Sequence, residues 1–151
     1  MKYILYLVLL ISSQVFAKPV NNSIAFYYSY PMPLAEMTFY SRVVVQPEHV
    51  TEHELNWFKQ RNIAVYAYLS VGESFNKNKS SLSINPNWDS HIADLASAHW
   101  QQHIQRSAET LKARGFSGLF LDTLDSYQLL DDKHSKPKQQ AGLVTIISSL
   151  S

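Results

Sequence analysis

Gly115-Phe-Ser-Gly-Leu-Phe-Leu-Asp122 runs from a helix stop into a short apolar strand that ends on a carboxylate. Upstream of it, Trp100, Ile104, Ala108 and Leu111 recur at helical spacing, with Gln101, Gln105, Arg106, Glu109 and Lys112 on the other side. Gly115 is the C-terminal stop of that helix. Further back, Ala64-Val-Tyr-Ala-Tyr-Leu69 reads as a strand, Val65, Ala67 and Leu69 alternating with Tyr66 and Tyr68. Before it, Thr51-Glu-His-Glu54 spells a capping box, with Thr51 as N-cap and Glu54 at the third helical position. Leu55 and Phe58 give that helix its apolar face, and it should end near Asn62. Arg42-Val-Val-Val45, stopped by Pro47, has three β-branched residues in a row, which suits a strand buried on both faces. Ser23-Ile-Ala-Phe-Tyr-Tyr28 is a first strand bounded by Asn21, Asn22 and Pro31.

The remaining segments are read with the same rules. Residues 70–90 are polar and serine-rich, and are expected to form a long loop of the length that is often functional. Ser90-His-Ile-Ala-Asp94 is expected as a short fourth strand. Pro137 opens a last helical pattern, Leu143, Ile146, Ile147, Leu150, which reaches Ser151 without a cap. Strands alternating with helices imply an α/β fold with a parallel sheet and right-handed crossovers. A (β/α) barrel and an open doubly wound sheet both fit. With only four glycines and no Gly-rich loop after the first strand, a nucleotide-binding Rossmann domain is disfavoured. A full barrel takes about 200 residues or more, so this chain holds about four or five βα units. The expectation is a partial (β/α) TIM-type barrel, truncated at its C-terminus.

The first 17 residues are set apart from the fold. Lys2, the apolar run Tyr3 to Ile11 and Val15-Phe16-Ala17 have the layout of a signal peptide, with cleavage expected between Ala17 and Lys18. The run is too short for a membrane span, which takes about 20 apolar residues. The expected product is therefore exported, periplasmic or extracellular, with no membrane span and a folded unit over 18–151. Lys and Arg number 13 against 12 Asp and Glu, which leaves no basic excess for a nucleic-acid partner. The chain has no cysteine, so disulfides, thiolate metal sites and a thiol nucleophile are excluded. Nine tyrosines suit a surface that stacks on ring-shaped ligands, although Tyr also fills cores.

Ligands of parallel α/β folds bind at the carboxyl ends of the strands. There the sequence places Tyr28 after the first strand, Tyr68 and Glu73 at the third, Asp94 at the fourth, and Asp122, Asp125 and Tyr127 at the fifth. Four carboxylates among tyrosines suit a carbohydrate site: aromatic faces stack on sugar rings, and carboxylates hold hydroxyl or ammonium groups. Glycoside hydrolysis needs two carboxyl groups, one an acid and the other a nucleophile or base. Asp122, closing an otherwise apolar strand, is the candidate catalytic residue. Tyr28, Tyr68, Glu73, Asp94, Asp125 and Tyr127 are the candidate substrate-binding residues.

Tyr66-Ala-Tyr-Leu-Ser-Val-Gly-Glu73 together with Gly115-Phe-Ser-Gly-Leu-Phe-Leu-Asp-Thr-Leu-Asp-Ser-Tyr127 resembles the endo-α-1,4-polygalactosaminidase family, glycoside hydrolase family 114. Phe26-Tyr-Tyr-Ser-Tyr-Pro31 and Val43-Val-Val-Gln-Pro-Glu-His-Val50 look more like the related hydrolase domain of Pel-type exopolysaccharide proteins. The resemblance implies a secreted TIM-barrel glycosidase that cuts galactosamine-containing polymers without a cofactor. The family's strand-end aspartate falls on Asp122, with Asp125 and Tyr127 following, and its Ser-x-Gly-Glu motif on Ser70, Gly72 and Glu73. Gln46 stands where relatives often carry an acid before the proline. The family's glutamate on a later strand has no counterpart here, which implies that the chain alone lacks activity.

Other motifs carry less. His99-Trp-Gln-Gln-His103 has the spacing of a zinc helix but no Glu beside the first His, so no metal is expected. Leu121-Asp-Thr-Leu-Asp125 separates its two aspartates by one residue too many for a phosphatase nucleophile motif, and no Gly-x-Ser-x-Gly elbow exists. The alternative to an enzyme is a non-catalytic truncated product or polysaccharide-binding protein. Unpaired strand edges of an incomplete barrel are expected to promote self-association.

Overall fold

The computed structural model describes residues 22–131 and 134–151. The expected signal peptide lies outside them. In chain order the elements are β1 (Ile24–Tyr27), α1 (Leu34–Met37), β2 (Arg42–Val45), α2 (Glu52–Gln60), β3 (Ala64–Ser70), β4 (Glu73–Ser74), β5 (Ser81–Asn85), β6 (Ser90–Ala93), α3 (Ala98–Ala113), β7 (Gly118–Asp122) and α4 (Lys136–Ser149). Strands β1, β2, β3 and β7 form one parallel sheet in that order. The order never reverses, so the sheet has no switch point of the doubly wound kind.

One face of this sheet is covered. Val43, Val45, Val65 and Ala67 are fully buried or nearly so, packed with Leu55 and Phe58 of α2, Leu111 of α3, Met37 and Phe116. Each buried Val, Leu, Phe or Met side chain among these contributes about 1.5–3 kcal/mol relative to exposure. The α2 capping box forms as its sequence predicts: the Glu54 N–H donates to the Thr51 hydroxyl, and the Glu54 carboxylate accepts from the Thr51 N–H at 2.7 Å. Asn62 and Gly115, both at positive φ, end α2 and α3.

The other face stays open among the described residues. It carries Phe26, Tyr28, Tyr66, Tyr68 and Phe120, joined by edge-to-face pairs of Phe26 with Phe120 (5.2 Å) and Tyr28 with Tyr68 (5.3 Å). Phe26 is 51% exposed and Tyr28 42%. Helices on one face and an aromatic lining on the other are what an arc of barrel wall shows, whereas a doubly wound sheet has helices on both.

Two expectations are corrected beyond β3. The segment expected as a loop contains β4 and β5. The segment expected as a fourth barrel strand, Ser90 to Asp94, is β6, the centre strand of a separate antiparallel sheet ordered β4-β6-β5. The four residues between β5 and β6 permit a hairpin, whereas a parallel rung needs a crossover of a dozen or more. The main sheet therefore passes directly from β3 to β7. The small sheet packs through Ile92 into a second core with Val71, Leu95, Trp100, Ile104 and Ile146. There the Trp100 indole donates to the Val71 carbonyl at 2.8 Å. In α4, Ile146 is buried as its pattern predicts, but Ile147 is 38% exposed.

Candidate active site

Strand β7 delivers Asp122 to the carboxyl end of the main sheet, opposite Ser70 of β3 in register. Its backbone carbonyl still serves the sheet, accepting from the Val71 N–H at 2.9 Å. Its side chain is held from both sides. The Tyr68 hydroxyl donates to Oδ2 at 2.8 Å, and the Thr123 N–H donates to Oδ1 at 2.8 Å. Among the described residues no other donor hydrogen-bonds either oxygen, which leaves each a second lone pair.

The Thr123 bond depends on an unusual backbone. Thr123 has φ +60°, a left-handed conformation that is costly for a β-branched residue and that clusters at functional sites. Three contacts hold it there. Its Oγ1 lies 2.9 Å from Ser70 Oγ, accepts from the Gly72 N–H at 2.8 Å, and lies 2.7 Å from the Asp122 carbonyl. Gly72 is required by the same close approach, because a Cβ there would sit 2.1 Å from the Thr123 carbonyl oxygen.

Tyr68 is fixed by its bond to Asp122 and by its edge contact with Tyr28. Burial, the hydrogen bond to Asp122 and the nearby negative charge push its phenol far above its ordinary value, so it acts as a neutral donor. Burial and the Asp122 charge raise Tyr28 in the same direction. The end of β1 is pinned by His49, whose Nδ1 donates to the Tyr28 carbonyl at 2.9 Å.

Glu73 sits beneath this rim, only 7% exposed. Its Oε1 accepts from the Asn85 amide at 2.9 Å and from the Ser126 hydroxyl, and its Oε2 accepts from the Ser90 hydroxyl. Burial alone would raise its pKa, but the three hydrogen bonds outweigh burial and the Asp122 charge, holding it below the ordinary carboxylate value. The sequence places Glu73 among ligand-facing residues. The structure uses both of its oxygens to join the small sheet to the turn after β7, so it positions the rim from below.

The other expected residues do not all converge. Asp94 accepts from the Gln139 amide at 2.8 Å and from the Ala96 N–H at 3.1 Å, serving the turn into α3 and the docking of α4. Tyr127, expected among the substrate-binding residues, is 7% exposed within the second core. Asp125 is exposed and opens the 3₁₀ turn Ser126–Leu129. Asp122, Tyr68 and Tyr28 are thus brought together, with Glu73 supporting them. Sequence reasoning missed Thr123, Ser126, Asn85, Ser90 and His49. Only Thr123 left a trace, as the residue between a strand-end carboxylate and a turn. Among the described residues no group of three or more His, Asp or Glu could hold a metal ion.

A half-buried carboxylate with one neutral donor per oxygen, beside two tyrosine rings, can hold a sugar hydroxyl or ammonium and exchange a proton with it. Comparisons with known proteins place the chain in a family. The chain is similar to the glycoside hydrolase domain of PelA from Pseudomonas aeruginosa, at 32% identity and TM-score 0.79, covering 85% of this chain and 55% of that one. A variant of that domain gives 31% and 0.78 over the same shares. Aspergillus fumigatus Ega3, solved in complex with galactosamine, gives 12% identity and TM-score 0.66, covering 89% of this chain and 57% of that one, a likeness of fold alone. The chain thus spans a little over half the length of these structures. No match was found among curated proteins. A family model described as glycoside-hydrolase family GH114 matches residues 12–150. On that match, and on the α/β barrel wall it shares with the PelA domain, the chain belongs to glycoside hydrolase family GH114.

Proposed function

We propose that this chain carries the Asp122 side of a glycosidase site acting on galactosamine-containing exopolysaccharide outside the cytoplasm. The observation that carries the reading is Asp122 itself: a carboxylate at the carboxyl end of a parallel strand, held by Tyr68 and the Thr123 N–H, in a GH114 chain. Asp122 would act on the glycosidic oxygen or the anomeric carbon, with Tyr28 and Tyr68 lining the sugar. Residues 1–17 would direct export and 18–151 would fold as the barrel segment.

Hydrolysis by the usual route needs a second carboxyl group facing the bond from the other side. Glu73 does not serve, because its oxygens are occupied below the rim. We therefore expect the 151-residue chain to bind galactosamine oligomers without releasing reducing ends. The test titrates the chain and Asp122→Asn with galactosamine oligomers. The expected result is binding by the unmodified chain that weakens in Asp122→Asn at an unchanged unfolding midpoint. Equal binding by both would overturn the role of Asp122, and turnover would require a second acid within these residues.

A further inference from the structure

The small antiparallel sheet carries two aromatic side chains that no core uses. Phe75 follows β4 and is 81% exposed; Trp88 lies in the turn between β5 and β6 and is 72% exposed. The other two tryptophans are engaged. Trp100 is 3% exposed, and Trp57 lies under the Arg61 guanidinium at 4.0 Å. Singly, an exposed aromatic means little. These two stand at the same end of one sheet, because Ser74 pairs with His91 and Asn85 with Ser90, which puts Phe75 alongside the turn that holds Trp88.

Their backbones are fixed. The Ser74 hydroxyl accepts from the Asn76 N–H at 3.2 Å and donates to the Asn76 carbonyl at 3.0 Å. In the turn, the Asn87 N–H donates to Asn85 Oδ1 at 3.1 Å and the Trp88 N–H to the Asn85 carbonyl at 3.3 Å. The platform is joined through the chain to the residues beneath the rim. Phase along the chain puts Phe75 two residues past Glu73 and Trp88 two residues before Ser90, about 7 Å of extended chain in each case. Glu73 and Ser90 are the pair whose hydrogen bond lies beneath the Asp122 rim.

We propose that Phe75 and Trp88 form an outlying subsite that stacks on pyranose rings of a galactosamine polymer whose reacting unit sits at Asp122. A galacto-configured ring has an axial O4, which leaves one face a continuous patch of C–H groups suited to an indole or phenyl face. Asp89, exposed beside Trp88, supplies a carboxylate for a ring ammonium, and the indole face adds attraction for the same cation. Lys77, exposed two residues past Phe75, faces a polymer's hydroxyl or N-acetyl groups better than its ammonium groups, so a mixed polymer fits this end. This inference rests on the proposed function for the identity of the polymer.

The test measures binding of disaccharides and longer galactosamine oligomers to the whole chain, with iodide quenching to report on Trp88. Long oligomers should shield Trp88 and bind more tightly than disaccharide. Phe75→Ala and Trp88→Ala should each cut affinity for long oligomers roughly tenfold, leaving disaccharide affinity and the unfolding midpoint unchanged. Asp122→Asn should weaken every length equally and keep the gain with length. Loss of that gain in the aromatic variants, with Asp122→Asn silent, would retain the platform and refute the catalytic reading. Unchanged long-oligomer affinity in both aromatic variants, no shielding of Trp88, or no binding of any oligomer would overturn the platform.

Discussion

Glu73→Gln isolates the charge of the buried carboxylate while keeping its shape. In the native protein three donors, from Asn85, Ser90 and Ser126, point at Glu73 with 7% of the residue exposed. A Gln amide turned with its oxygen toward Asn85 and Ser126 keeps those two bonds as neutral ones. Its NH₂ then faces the Ser90 hydroxyl, which rotates to accept. Hydrogen bonds to a charged group contribute about 1.5–3 kcal/mol and neutral ones about 1, so the loss should be about 1.5 kcal/mol after the relief of burying a charge. With a urea slope of about 1–3 kcal/mol per molar, the midpoint should fall by roughly 1 M. Glu73→Ala, which leaves three buried donors unpaired, should cost about 4 kcal/mol, much of a domain's total stability. The folded-state pKa of Glu73 is lowered from 4.5, so its contribution is complete above 4.5 and is lost as pH falls through the lowered folded value. The gap between the native protein and Glu73→Gln should therefore be full at pH 7 and close in acid. Urea titrations followed by circular dichroism from pH 7 to 3 measure it. A gap that is absent at pH 7, or constant throughout, would refute the placement of an ionised Glu73 under the rim.

Tyr68→Phe removes the donor to Asp122 Oδ2, and should weaken binding of a galactosamine disaccharide about tenfold or more, as read by calorimetric titration, while costing about 1 kcal/mol of stability from the lost hydrogen bond. The raised phenol pKa of Tyr68 means that its share of stability is complete below pH 10 and declines above it; phenolate absorbance during alkaline titration should show late tyrosines, of which Tyr68→Phe removes the latest. Gly72→Ala forces a Cβ to within 2.1 Å of the Thr123 carbonyl, and should destabilise by about 3 kcal/mol, measured by thermal unfolding. Strands β1 and β7 are the outer strands of the main sheet among the described residues, so the chain should associate at rising concentration, with light scattering as the measure.

The sequence made the barrel wall legible where local rules and tertiary structure agree. The capping box at Thr51, the β-branched run at Val43 and the stop at Gly115 are each short-range signals that packing left in force. The small sheet was hidden because Ser81-Leu-Ser-Ile-Asn85 has few apolar residues, although Leu82 and Ile84 do alternate. Pairing direction was equally out of reach for Ser90 to Asp94, since it depends on the partner strand. At the site, Asp122 was readable from its place at a strand end and Tyr68 from its phase within β3. The burial of Glu73 was out of reach because its donors lie 12, 17 and 53 residues away in sequence, and nothing local announces a carboxylate as buried. The burial of Tyr127 was hidden for a related reason: an aromatic beside a polar motif fits a binding surface and a core equally well.

The pairing of β3 with β7 also orders events in time. Neighbours β1, β2 and β3 meet over short stretches of chain, but the Tyr68 hydroxyl and the Asp122 carboxylate come from residues 54 apart. Closing so long a loop carries a larger entropic cost than the local pairings, so native contacts of this range slow the folding of a domain. The two groups proposed to hold a sugar are therefore expected to meet only when β7 docks, after the three-strand wall has formed. The same edge would be the first to open in partial unfolding. In hydrogen-exchange measurements, amides of β7 should lose protection ahead of those in the centre of β2, and a sugar bound as proposed, between Tyr68 and Asp122, should slow exchange at β7 most.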